Sequence, residues 1–280
     1  MPEIHLPPTI EPLKAHRGKL EALAAAAIQD TDILGMTIKR SFALDIADEF
    51  SDLDLSFVIR DDVFEDALRR RPQLASAPAS PAAAFTAEHV GLPDLLIVLY
   101  DDLVHADFRY VTLSDFPDPE EDLPCRVVWE RDGLLSERLA ASPTPSPHVD
   151  LAWIEERMWT WVWYTQTKIL RGEVYEALDA LQFLRSRVLF PLLALIRGHR
   201  PCASRRAEQL VGDLQQDFAA TVAAPTRTDT MEALEKTVDL YLHLADPLLQ
   251  QQGIEKAKDA RQVALRALRG GLDFKPCPRD

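Results

Sequence analysis

Ser51-Asp52-Leu53-Asp54-Leu55 sets two carboxylates two residues apart inside an apolar run. In a strand, side chains at i and i+2 leave by the same face, so Asp52 and Asp54 should project together while Leu53 and Leu55 enter a core. Neighbouring carboxylates repel, and a divalent cation turns that repulsion into a binding site. Hard oxygen donors favour magnesium or manganese over zinc. A third carboxylate stands in His105-Ala106-Asp107-Phe108-Arg109-Tyr110-Val111. There Asp107 alternates with Phe108, shares a face with Arg109, and could meet the pair across a sheet. Three such carboxylates could hold two metal ions, which together stabilise the attacking and leaving oxygens of phosphoryl or nucleotidyl transfer.

A sheet is therefore needed to position them. Ile33 to Ser41, Leu53 to Arg60, Asp94 to Asp101, Val104 to Leu113 and Arg126 to Trp129 carry the β-branched and aromatic content of strands, with Asp101-Asp102 as a hairpin turn. Glu11 to Ile28 and Val63 to Arg71 have helical spacing, and Ser76 to Pro81 reads as a loop. Three alternating prolines in Ala-Ser-Pro-Thr-Pro-Ser-Pro, residues 141–147, forbid a helix and imply an extended connector. Beyond it nearly every segment has helical period. Asp150 can cap one helix that Gly172 ends or bends, a second carries apolar residues from Val174 to Val188, and Asp229 with Glu232 reads as a capping pair before a third. The expected class is α+β: a mixed sheet with helices over residues 1–140, a Pro-rich linker over 141–149, and an all-α helical bundle over 150–280.

With Ser41, Ser51-Asp52-Leu53-Asp54-Leu55, His105 to Val111, Val127 to Gly133 and Arg171 to Leu178 on the page, most of the chain resembles the nucleotidyltransferase superfamily. The likeness is to its stand-alone bacterial enzymes, the aminoglycoside adenylyltransferases and lincosamide nucleotidyltransferases. It implies that Asp52 and Asp54 bind the metals, and that Asp107 completes that site or takes the acceptor's hydroxyl proton. It also implies that Ser41, with Arg40 and Ser51 nearby, meets the triphosphate. The chain departs from the family where a glycine precedes the serine, here Arg40, and where a second small residue is usual, here Asp45. Glycine lets backbone N–H groups approach a phosphate closely, whereas an arginine would have to reach it by its side chain.

Two functions are expected from this resemblance. One is a Mg2+- or Mn2+-dependent transfer of a nucleoside monophosphate, AMP from ATP, to a hydroxyl of a small antibiotic-like acceptor. The other is a catalytically degenerate relative acting as a binding or regulatory protein, because of Arg40 and Asp45. Glu173, after Gly172 at a helix start, is a candidate acceptor ligand, with the ordinary role of favouring a helix N-terminus beside it. Trp159, Trp161, Trp163 and Tyr164 could line the acceptor's pocket, at least two of them being bundle core. Lys+Arg 31 against Asp+Glu 45 gives a formal charge of −14, which repels nucleic acid and attracts a cationic acceptor. No apolar run is long enough to span a bilayer, and Met1 to Lys19 has no signal-peptide core. The three scattered cysteines imply neither zinc nor disulfides, so a cytoplasmic protein is expected.

Overall fold

Alternation of apolar and polar residues builds the first half of the chain as a sheet between unequal faces. The computed structural model describes residues 3–117, 124–142, 149–201 and 203–270. The chain is α+β, and it divides into two compact units, Met1–Ser146 and Pro147–Asp280. Residues 143–148, within the expected Pro-rich linker, lie outside the described residues.

In the first unit α1 (Lys14–Gln29) is followed by β1 (Ile33–Lys39), the one-turn α2 (Arg40–Ala43), β2 (Leu53–Ile59), α3 (Phe64–Ala75), β3 (Ala83–Ala87), β4 (Leu92–Leu99), β5 (His105–Thr112), β6 (Cys125–Glu130) and α4 (Leu134–Ala141). The six strands are ordered β3-β4-β5-β2-β1-β6. The sheet is mixed: β2 and β5 run parallel with Asp54 opposite Asp107, and the other neighbours are antiparallel. Met36, Ile38, Leu53, Leu55, Phe57, Ala106 and Phe108 point into one core with Leu20, Leu23 and Ala27 of α1. Roughly 1.5–3 kcal/mol for each large apolar side chain buried makes this the face that holds the sheet together.

The opposite face is divided. Val58, Val111, Phe116 and Leu135 of α4 cover one end. Gly35 makes that contact possible, because a Cβ there would lie 2.6 Å from Leu135 Cδ2 and 2.9 Å from the Trp129 carbonyl oxygen. The other end carries polar side chains and opens into a cavity of about 820 Å³.

Strand positions follow the expected pattern with two corrections. The strand expected through Ser41 ends at Lys39, because Arg40 turns to φ +52 and opens α2. β3 was not legible, since Ala83–Ala87 is a short edge strand with an exposed start and three of its five residues are alanine.

The second unit comprises α5 (Leu151–Arg171), α6 (Val174–Leu184), α7 (Phe190–Ile196), α8 (Glu208–Val211), α9 (Gln215–Ala219), α10 (Arg227–Gln252) and α11 (Lys258–Leu268). Asp150 caps α5 by accepting from the Trp153 N–H at 2.8 Å, and Gly172 ends it at φ +76. The cap of α10 is Thr226 rather than Asp229: its hydroxyl accepts from the Asp229 N–H, and the Asp229 carboxylate accepts from that hydroxyl. The helix expected to run from Val174 to Val188 gives way to a π-helical turn at Arg185–Leu189. Pro191 explains it, because without an N–H it cannot bond the carbonyl four residues back. Trp159 is buried, while Trp163 and Tyr164 reach the surface.

One carboxylate sits in this helical core. Glu155, 1% exposed, accepts from Trp159 Nε1 (3.1 Å), the Tyr241 hydroxyl (2.6 Å) and the Ala257 N–H (3.1 Å), with Arg261 3.7 Å away. Among the described residues no helix is long and apolar enough to cross a membrane.

Candidate functional site

The open end of the sheet collects its charges from three strands whose alternation aims them the same way. Lys39 ends β1, Asp54 and Ser56 come from β2, and Asp107 and Arg109 come from β5; all of them line the cavity. Ser56 is 1% exposed and its hydroxyl has no hydrogen-bond partner among the described residues, nor has that of Thr37 opposite it on β1. A buried hydroxyl left without a partner is uncommon, and Ser56 presents one beside a polar cavity.

Asp52, Asp54 and Asp107 gather around one imidazole. His105 Nδ1 lies 2.9 Å from Asp52 Oδ1, and Nε2 lies 3.3 Å from Asp107 Oδ1. The hydrogen bond to Asp52 raises the His105 pKa above its ordinary 6.5, burial opposes it, and the charges of Asp52, Asp107 and Asp54 add to the rise. A raised folded-state pKa means that the stability contributed by the imidazolium is full below 6.5 and is lost as pH climbs through the folded value. An NMR titration of the His105 ring should give a midpoint above 6.5 that falls in Asp52→Asn; a wild-type midpoint at or below 6.5 would contradict this geometry.

Arg40 supplies a fixed cation. Its Nε lies 3.1 Å from Asp54 Oδ1, with the Arg40 side chain 40% exposed and Asp54 only 13%. Its main chain holds φ +52, a left-handed conformation that costs an L residue about 1–2 kcal/mol. Asp45 is also left-handed, at φ +58, and its carboxylate accepts from Arg126 Nη2 of β6 at 2.7 Å. The turn thus keeps glycine-like dihedrals without glycine. Asp45 spends its charge on β6 instead of facing the cavity.

These contacts bear on the divalent ions that the resemblance implies. The oxygens have the right chemistry, but Arg40 covers Asp54, and His105 lies between Asp52 and Asp107. Among the described residues no group of three His, Cys, Asp or Glu is arranged to hold a metal ion. As placed, the residues do not fit one.

The remaining candidates fall elsewhere. Ser41 lies in α2, where its carbonyl accepts from the Ile46 N–H. Ser51 donates to Asp48 Oδ1 at 2.9 Å and stiffens the loop before β2. It borders a second cavity, of about 530 Å³, shared with Asp52, His105, Phe50 and Leu103. Glu173, in the second unit, occupies the N-cap position of α6 without a side-chain cap bond, and pairs with Lys168 at 3.1 Å. Lys39 and Ser56 were missed in the sequence; the signal was their two-residue step from Thr37 and Asp54.

No family model matches the chain, and no curated protein matches it. Among solved structures it is similar to an aminoglycoside 6-adenyltransferase from Bacillus subtilis, with a TM-score of 0.40 and 11% identity over 90% of this chain and 97% of that one. It is also similar to a nucleotidyltransferase-like protein from Exiguobacterium sibiricum 255-15, with a TM-score of 0.39 and 12% identity over 93% of this chain and 81% of that one.

Proposed function

We propose that the first unit is a nucleotide-binding domain of the nucleotidyltransferase type, taking a nucleoside triphosphate, ATP first among them, in the cavity on the open face of the sheet. One observation carries the reading: on a chain of net charge −14, Lys39, Arg40 and Arg109 converge on one cavity beside the unpartnered Ser56 hydroxyl. Charge-assisted bonds from such groups are the strong ones for phosphate, and arginine offers it a planar fork. Asp54 and Asp107 also line this cavity; the guanidinium facing Asp54 and the His105 ring beside Asp107 reduce their repulsion toward a phosphate. Calorimetric titration of ATP into the protein should give saturable heat. Lys39→Ala with Arg109→Ala should weaken binding at least tenfold, about 1.4 kcal/mol. No heat from the folded wild type would end the proposal.

A second reading is an active enzyme of the cytoplasm, moving AMP from ATP to a hydroxyl of a small cationic acceptor. The convergence of Asp52, Asp54 and Asp107 on His105 favours it. In this reading Asp107 takes the acceptor's proton and Glu173 helps hold the acceptor. Pyrophosphate release from ATP with an aminoglycoside present, abolished by Asp107→Asn, would select this reading over simple binding.

A further inference from the structure

We infer that Arg40 is the built-in cation of the acidic cluster, that it closes the cluster to divalent ions, and that its removal opens an ion site there. Three carboxylates near one imidazole cannot all stay ionised unless their repulsion is answered, and only protonation, a bound ion or fixed cations can answer it. Here the guanidinium is the fixed cation, and the His105 ring lies between the other two carboxylates. His105 serves Asp52 and Asp107, and Arg40 Nε serves Asp54 from 3.1 Å. A hard ion needs the same oxygens that these two side chains hold, so it would have to displace a guanidinium that its own backbone presents to them.

The backbone makes the test clean. At φ +52 the chain tolerates glycine better than arginine, so Arg40→Gly removes the cation and the local strain together. The variant is thus expected to fold. What it loses is the positive charge facing Asp54, a carboxylate mostly shielded from water. Removing the guanidinium takes one positive charge from beside Asp54, and an incoming divalent ion then gains the attraction that arginine had used.

The inference concerns the cluster itself and is read without any nucleotide. Mn2+ alone is titrated into the wild type and into Arg40→Gly, with bound ion followed by electron paramagnetic resonance and folding by circular dichroism. Wild type should take up no Mn2+ at this cluster. Arg40→Gly should bind it at least tenfold more tightly, and Asp54→Asn in the same chain should remove the gain. Arg40→Asn, whose side chain also tolerates the left-handed region, repeats the measurement independently of any defect in the glycine variant. Equal Mn2+ affinity in wild type and both variants would overturn the inference, as would failure of both folded variants to bind. Either result leaves the ATP titration free to succeed or fail by itself.

Discussion

Gly35→Val is expected to destabilise the first unit severely, by more than the roughly 1–3 kcal/mol that ordinary overpacking costs. The new Cβ would lie 2.6 and 2.8 Å from the two Leu135 methyl carbons and 2.9 Å from the Trp129 carbonyl oxygen. Leu135 can rotate; the carbonyl cannot move without disturbing the pairing of β1 with β6, where Gly35 stands opposite Glu130. Urea unfolding followed by far-ultraviolet circular dichroism measures the loss. Leu135→Ala in the Gly35→Val background should recover part of it and no more, because the backbone contact persists. A Gly35→Val midpoint equal to wild type would mean that α4 does not rest on β1 as described. The consequence reaches the site, since β1 ends at Lys39 and leads directly into Arg40, two of the residues that deliver positive charge to the cavity.

Glu155→Ala should cost the helical unit about 3–5 kcal/mol, the range for breaking a buried charged network from one side. Its carboxylate accepts from Trp159, Tyr241 and the Ala257 N–H, so truncation strands three donors from α5, α10 and the approach to α11. Burial and the carboxylate push the Tyr241 phenol far above its ordinary value of 10, so that hydroxyl stays a donor at any working pH. Arg261, which stacks 5.0 Å from the Trp159 ring and pairs with Asp246 at 2.7 Å, would keep only one of its acidic neighbours. Glu155→Gln keeps the shape and one acceptor oxygen and should cost less than half as much. Equal unfolding midpoints for wild type and Glu155→Ala would show the network to be decorative.

Alternation made much of the sheet legible: the two-residue step in Asp52-Leu53-Asp54 and in Asp107-Phe108-Arg109 assigns opposite faces to acid and apolar residue, and β2 and β5 lie in that arrangement. The parallel register that sets Asp54 beside Asp107 was not legible, because spacing along one strand does not say which strand it pairs with, and β3, between the two in sequence, is too short and alanine-rich to announce itself. Helix ends were legible where a cap has one acceptor, as at Asp150. They were displaced where two overlap: Thr226 and Asp229 bond each other, and spacing alone assigns the cap to either. At the site, residue types pointed to the carboxylates, and nothing in composition or period reports a backbone dihedral. The left-handed turn of Arg40, which decides where its guanidinium lies, is set by the strands on both sides of it.

The pairing of β2 with β5 has a consequence for the order in which the chain matures. Asp107 reaches Asp54 only after roughly fifty intervening residues have been looped out, a closure slower than that of neighbouring segments. Arg40 reaches Asp54 across a short antiparallel connection, β1 to β2. The shorter loop favours the contact of the guanidinium with Asp54 over that of Asp107, so the distant acid joins a carboxylate already faced by positive charge.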